Sequence, residues 1–173
     1  MPGWINADRI EAAGLDVRAD IRDGLPLDAA SMEYAVAIHA LQDMAWADIP
    51  AAVRELHRVL EPGGGVLRLG LPDLERAIDA YNRGDARYFY VPDEHARSLG
   101  AKLITQIIWY GSVRTPFTYD YAAELLSAAG FRRIVRCEYG ATRAAMPRSR
   151  RSTIVRARAC SWRGRNERES LLL

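Results

Sequence analysis

A fully apolar strand, an amphipathic helix and a second buried strand follow one another between residues 34 and 71, and little else in the chain constrains the fold as strongly. Tyr34–Ile38 (YAVAI) carries no charged residue, as expected of a strand covered on both faces. Asp48 stands where a helix should be capped, and Ile49, Val53, Leu56, Val59 and Leu60 fall on one side of it. Pro62-Gly63-Gly64-Gly65 stops that helix and turns the chain into the strand Val66–Leu71. Strands joined through helices in this way form parallel sheets of α/β type.

The flanking segments extend the same pattern. Trp4–Asp8 and Val17–Asp20 are short apolar stretches, each closed by an acid. Leu74–Tyr81 can form a helix, Asn82–Asp93 reads as a loop, and Ala96–Tyr110 as a helix with the stripe Leu99, Leu103, Ile107 and Ile108. Asp120 is placed to cap a helix running to Ala129 and ended by Gly130, after which Ile134–Glu138 returns as a strand.

Composition narrows the class. A chain of 173 residues, nearly half of them apolar, is the size of one globular domain. No apolar run approaches the roughly 20 residues of a membrane span, and the opening residues lack the basic-then-apolar order of a signal peptide. Cys137 and Cys160 are too few for a disulfide framework or a metal cage, so the expectation is a cytoplasmic protein without a metal. Charge is uneven: residues 148–173 hold 8 Arg against 2 Glu, so the sequence pI of about 8.7 belongs to that tail. The body is mildly acidic, which argues against a nucleic-acid surface.

Ligands of open parallel sheets bind at the carboxyl ends of the strands, and two of those ends carry Asp8 and Asp20. Such carboxylates can accept hydrogen bonds from a ribose diol or an exocyclic amine, or can serve as turn and capping residues. Ile38 and His39 follow at the third strand end, where His39 is open to a structural or a functional role. His57, beside Arg58 within the helix, reads as a surface residue.

In this order and spacing, PGWINAD, DVRADIRDGLPL, MEYAVAIHALQDM, RELHRVLEPGGGVLRLGLPDL and FTYDYAAELLSAAGFRRIV resemble one branch of the class I S-adenosylmethionine-dependent methyltransferases, the type 11-like group. The resemblance covers residues 2 to 143, and RVLEPGGGVLRLGLPDL is its most specific piece. It implies a Rossmann-like three-layer sandwich with a mostly parallel sheet, and S-adenosylmethionine as cofactor. By that resemblance Asp8 holds the ribose hydroxyls, Asp20 meets the adenine amine and Ile21 packs on the ring. Ile38 and His39 line the mouth near the methionine and the methyl acceptor, which is expected to be a small molecule or glycan. His95, Trp109 and Tyr110 are weaker candidates for the acceptor pocket, because aromatic residues such as these can equally close a core. Relatives often read His-x-Leu-Glu-His where this chain has His39-Ala40-Leu41-Gln42-Asp43, which leaves an acid/base role for the loop open and the catalytic residues unassigned. The transferred methyl is already activated on its sulfonium, so alignment and water exclusion can supply most of the catalysis.

Two departures from the family shape the remaining expectations. The strand and glycine-rich turn that relatives carry before PGW are absent from residues 1–147, which suggests a truncated domain missing its first, central strand. Two interior strands would then lack partners, opening a route to pairing with each other or to self-association. Arg148–Leu173 reads as an aberrant basic tail outside the native fold, the native last strand being missing as well. Adding one base before a suitable codon choice for 148–164 gives EIAALDNRARESLFVEG, which resembles the family's ending and points to a frameshift. Arg156 and Arg158 share a face with Ile154, so the tail is expected at an edge or in solvent. Cofactor binding is then expected to be impaired, with a non-catalytic methyltransferase-fold remnant or interaction protein as the alternative.

Overall fold

The computed structural model describes residues 3–137, 152–156 and 170–172, with side chains for the first of these stretches. Its strands are β1 (Trp4–Asp8), β2 (Val17–Arg18), β3 (Tyr34–Ile38), β4 (Val66–Pro72), β5 (Ser152–Arg156) and β6 (Ser170–Leu172). Its helices are α1 (Ile49–Val59), α2 (Leu74–Asn82), α3 (Leu99–Ile108) and α4 (Tyr119–Ala128). The six strands form one sheet in the order β2-β1-β5-β3-β4-β6, parallel except for the β4–β6 pair. This is a Rossmann-like α/β arrangement, with the strand order reversing direction between β1 and β3.

Side chains alternate across each strand, and Ala7, Ala35, Ala37, Leu69 and Leu71 lie on a face that is almost wholly buried. Against it pack Ile49, Val53, Leu56 and Val59 of α1 and Ala122 and Leu126 of α4, in one continuous core. Small alanines on β3 let α1 sit close to the sheet, so the long residues come from the helix. Val36 and Ile38, on the other face, are half-buried. There α2 and α3 form a second cluster in which Ala77, Ala80 and Phe89 meet Leu99, Leu103 and Ile107. Ile108, expected in that stripe, is 43% exposed. Among the described residues no helix is long and apolar enough to cross a membrane.

The centre of the sheet departs most from expectation. Ser152–Arg156 does not lie at an edge; it runs parallel between β1 and β3, in register from Trp4↔Ser152 to Ala7↔Val155 and from Tyr34↔Ser152 to Ile38↔Arg156. Interior position wins because one segment meets the ladder groups of two interior strands, each costly to leave buried and unpaired. Three β-branched residues in succession, Thr153, Ile154 and Val155, suit the pleat. Arg156 falls opposite Ile38 at the carboxyl rim, while Arg158 lies outside the described residues. With β5 in place, the unpaired edges that suggested self-association are filled. β6 pairs antiparallel with Gly70–Pro72 in the position of a last strand.

Smaller differences concern caps and ends. Asp48 precedes α1 without making a side-chain capping bond; its carboxylate instead pairs with Arg22 at 3.4 Å. The cap of α4 is Thr118, two residues earlier than Asp120, and both accept the Tyr121 amide. Ile134–Arg136 is not a strand, and Glu138 lies outside the described residues. Arg136 is drawn away to the carboxylates of Asp73 and Glu75, and this competes with a ladder there.

Candidate functional site

The carboxyl ends of β1, β3 and β4 share one rim, and each delivers a polar residue to it. At β1, Asp8 is 7% exposed and its Oδ1 accepts the Ile10 amide at 3.0 Å, which locks the turn leaving the strand. The Asp8 carbonyl accepts the Ala19 amide, so β2 delivers Asp20 to the same edge two residues beyond its last pair. Asp20 is gripped by Arg22: Oδ1 accepts from the Arg22 amide and Nε, and Oδ2 from a terminal nitrogen at 2.5 Å. Those bonds hold its carboxyl below the usual carboxylate range despite partial burial. Ile21 is 5% exposed and belongs to the main core with Leu25, so protein already covers most of its side chain.

The β3–β4 half of the rim differs. Ile38 is half-buried, and His39 follows with φ +53°, its amide donating to the Gly70 carbonyl at 2.8 Å. A left-handed non-glycine residue is strained, and such strain gathers where a side chain must be aimed. His39 lines a cavity of about 60 Å³ with Gln42, Asp43, Asp73, Gln106 and Trp109, walled by Leu74, Ala77, Ile107 and Val113. That volume holds a few water-sized groups, enough for the end of a molecule and far too little for a nucleoside.

Gln42 and Asp43 lie on the single 3-10 turn Leu41–Asp43. Gln42 is 2% exposed, and its carbonyl accepts the amides of Arg114 and Thr115, tying the 112–116 loop over the cavity. Among the described residues its Oε1 has no hydrogen-bond partner. Burial pushes the Asp43 carboxyl up to about 6, against the smaller pulls of a Gln42 hydrogen bond and the Arg9 charge. Asp73, by contrast, is compensated: it caps α2 through the Arg76 amide and pairs with Arg136.

Of the three weaker acceptor-pocket candidates, Trp109 reaches the cavity, and it too is left-handed, at φ +40°. His95 and Tyr110 do not line it. Their Nδ1 and hydroxyl meet at 2.8 Å on the outside of the protein, where Tyr110 is 53% exposed. Sequence reasoning did not assign Gln42, Asp43, Gln106 or Asp73 to a site. The signal lay in Gln42-Asp43 standing four and five residues past the strand end at Ile38, close to His39, the kind of position where ligands collect.

Residues 3–67 match the model of the family described as a methyltransferase domain. That segment belongs to the class I methyltransferases. No curated protein matches the chain at a significant level. The methyltransferase segment takes in β1, β2, β3 and α1, and therefore Asp8, Asp20, Ile38, His39, Gln42 and Asp43. Asp73 and Trp109 come from beyond it. Methyl transfer is thus the activity that this fold and this family support.

S-adenosylmethionine, the methyl donor such domains generally use, meets a mixed fit. On the rim beside the central strand, Asp8 offers a carboxylate with one oxygen committed to a backbone amide. β5 holds the central place in the sheet, and in sequence Ala157-Arg158-Ala159-Cys160 follow it with no glycine, whereas the resemblance implies a glycine-rich turn after that strand.

Proposed function

We propose that the chain transfers a methyl group from S-adenosylmethionine to a small-molecule or glycan-type acceptor, with a weakened hold on the donor. The observation that carries this reading is the division of one rim into two stations. Asp8 and Asp20 stand on the β1–β2 side, and a small, mostly apolar cavity stands beside His39 on the β3–β4 side. When bound, the donor supplies a methyl carbon already activated on a positively charged sulfur. Asp8 holds its ribose hydroxyls, and Asp20, kept ionised by Arg22, faces the amine of the base. His39 and Trp109 orient the acceptor, and the loop tied to Gln42 keeps water from the reacting atoms. The weak hold follows from the missing glycines, since a side chain at those positions obstructs close approach of backbone to ligand.

Calorimetric titration of the full chain with S-adenosylmethionine tests the reading. Saturable binding weaker than micromolar is expected, reduced a further tenfold or so in Asp8→Ala as a charged hydrogen-bond acceptor is lost. Affinity unchanged by Asp8→Ala would show that the donor lies elsewhere.

A further inference from the structure

Helix α3 carries two long polar side chains one turn apart, Lys102 and Gln106, and both act on the backbone that follows Phe89. The Lys102 ammonium donates to the Val91 carbonyl at 2.7 Å and pairs with Asp93 at 2.6 Å. Gln106 Oε1 accepts the Tyr90 amide at 2.8 Å. A backbone N–H can only donate, so this bond fixes which end of the Gln106 amide is oxygen and which is nitrogen. Gln106 also lines the cavity beside His39, and Tyr90 does not. With Oε1 spent on Tyr90, the edge of the amide left for the cavity is Nε2, a donor without a hydrogen bond among the described residues. Nε2 is not sealed in the interior as Gln42 Oε1 is, so a ligand can reach it. The other polar groups on the wall are engaged. The Ser112 hydroxyl donates to the Trp109 carbonyl at 3.0 Å, Asp73 pairs with Arg136, and His39, Tyr88 and Trp109 each have an interaction partner in the protein. Leu74, Ala77, Ile107 and Val113 make much of the rest apolar.

We propose that Gln106 is the specificity-determining residue of this cavity, its Nε2 donating to an uncharged oxygen acceptor, such as a carbonyl or ether oxygen, on the apolar end of the methyl acceptor. Calling the ligand the methyl acceptor rests on the methyl-transfer reading above; the hydrogen bond itself does not. The volume, about 60 Å³, admits one end of a molecule. Its walls favour apolar surface, and an amide nitrogen that loses water there is costly unless the ligand brings an acceptor. A ligand carboxylate would add negative charge beside Asp43 and Asp73, and among the described residues only Asp73 has an arginine partner. The bond to Tyr90 sets the amide before a ligand arrives, so an analogue lacking the oxygen gains nothing by rearrangement and leaves the donor unmatched.

Gln106→Glu separates recognition from the structural tie, because a carboxylate oxygen can still accept the Tyr90 amide while the donor becomes a second acceptor. The probes are cyclopentanone, which has a carbonyl oxygen, methylenecyclopentane, which has the same shape without it, and cyclopentanecarboxylate, which brings a charge. None is aromatic, so ring currents do not disturb the reading. Each is titrated into the isotope-labelled full chain at pH 7, without methyl donor, and the side-chain amide signals are followed by NMR. The glutamines are Gln42 and Gln106, so the signal pair that Gln106→Glu removes belongs to Gln106. In the unaltered chain those protons should move downfield and saturate with cyclopentanone, and stay in place with methylenecyclopentane. Gln106→Glu should weaken cyclopentanone roughly tenfold and change methylenecyclopentane by less than about twofold. Thermal melts check that the variant folds, and the Gln106 signal of the unaltered chain decides even if it does not. Four results would each overturn the proposal: no saturable binding of cyclopentanone, a Gln106 signal that stays put as the ketone saturates, equal weakening of ketone and hydrocarbon in a folded variant, or tighter binding of the carboxylate. Because the methyl donor is absent, failure here is separate from failure of the donor titration. A ketone site without donor binding sinks methyl transfer and leaves the role of Gln106 standing.

Discussion

On the two sides of β5 the strand rim treats its acids in opposite ways. Asp20 is surrounded by donors, with Arg22 closing on both oxygens, and it stays ionised. Asp43 is half-buried with less compensation, and its carboxyl is pushed up to about 6. The same residue type is therefore held ionised on one side and raised toward neutrality on the other. The difference is made by neighbours: a guanidinium two residues along the chain in one case, and desolvation by distant loops in the other.

The largest expected effect comes from removing the strand between the two sides. Composition alone suggests that Arg148–Leu173 can be deleted at little cost, and the pairing of β5 with β1 and β3 predicts the reverse. Deletion should cost on the order of 4 kcal/mol or more, a large part of a typical domain's stability, seen as a shifted or lost denaturant transition. An unchanged midpoint would show that the two sides do not depend on β5.

Asp43→Asn should act more mildly and in the stabilising direction. A raised carboxyl means that folding is favoured below the unfolded value near 3.8 and penalised as pH rises through about 6. The variant should gain about 1 kcal/mol at pH 7, the full shift being discounted because half the group meets solvent, and nothing at pH 3. Melts of both proteins across pH 3 to 8 check it, and a gain independent of pH would point to packing instead.

Asp20→Asn should show the smallest effect, of opposite sign. Its lowered carboxyl contributes stability above the unfolded value near 3.8 and loses it as pH falls further. Arg22 is 40% exposed, so the loss at pH 7 should not exceed about 1 kcal/mol. If Asp20→Asn and Asp43→Asn shifted stability the same way at pH 7, the contrast between the two sides would fail.

Legibility followed the range of the interactions. β1, β3, β4 and α1 could be read because each depends on local pattern: apolar runs, one helical face, a Pro-Gly stop. Asp8 could be placed at its strand end for the same reason. The cap of α4 was off by two residues because Thr118 and Asp120 both reach the Tyr121 amide, and sequence does not rank them. Ile134–Arg136 looked like a strand, since alternation cannot reveal that Arg136 is claimed by Asp73 from 63 residues away.

The sequence by itself determined that strands would alternate with helices, that their ends would carry acids, and that residues 2–143 would resemble a methyltransferase domain, which the family match bears out over 3–67. Each of these rests on residues a few positions apart. Only the tertiary structure decided that Ser152–Arg156 fills the centre of the sheet, that Gln42 and Asp43 close a cavity with Trp109, and that His95 and Tyr110 stay outside it. Those outcomes turn on which groups lose water and which ladder groups find partners, and both depend on residues far apart in the chain.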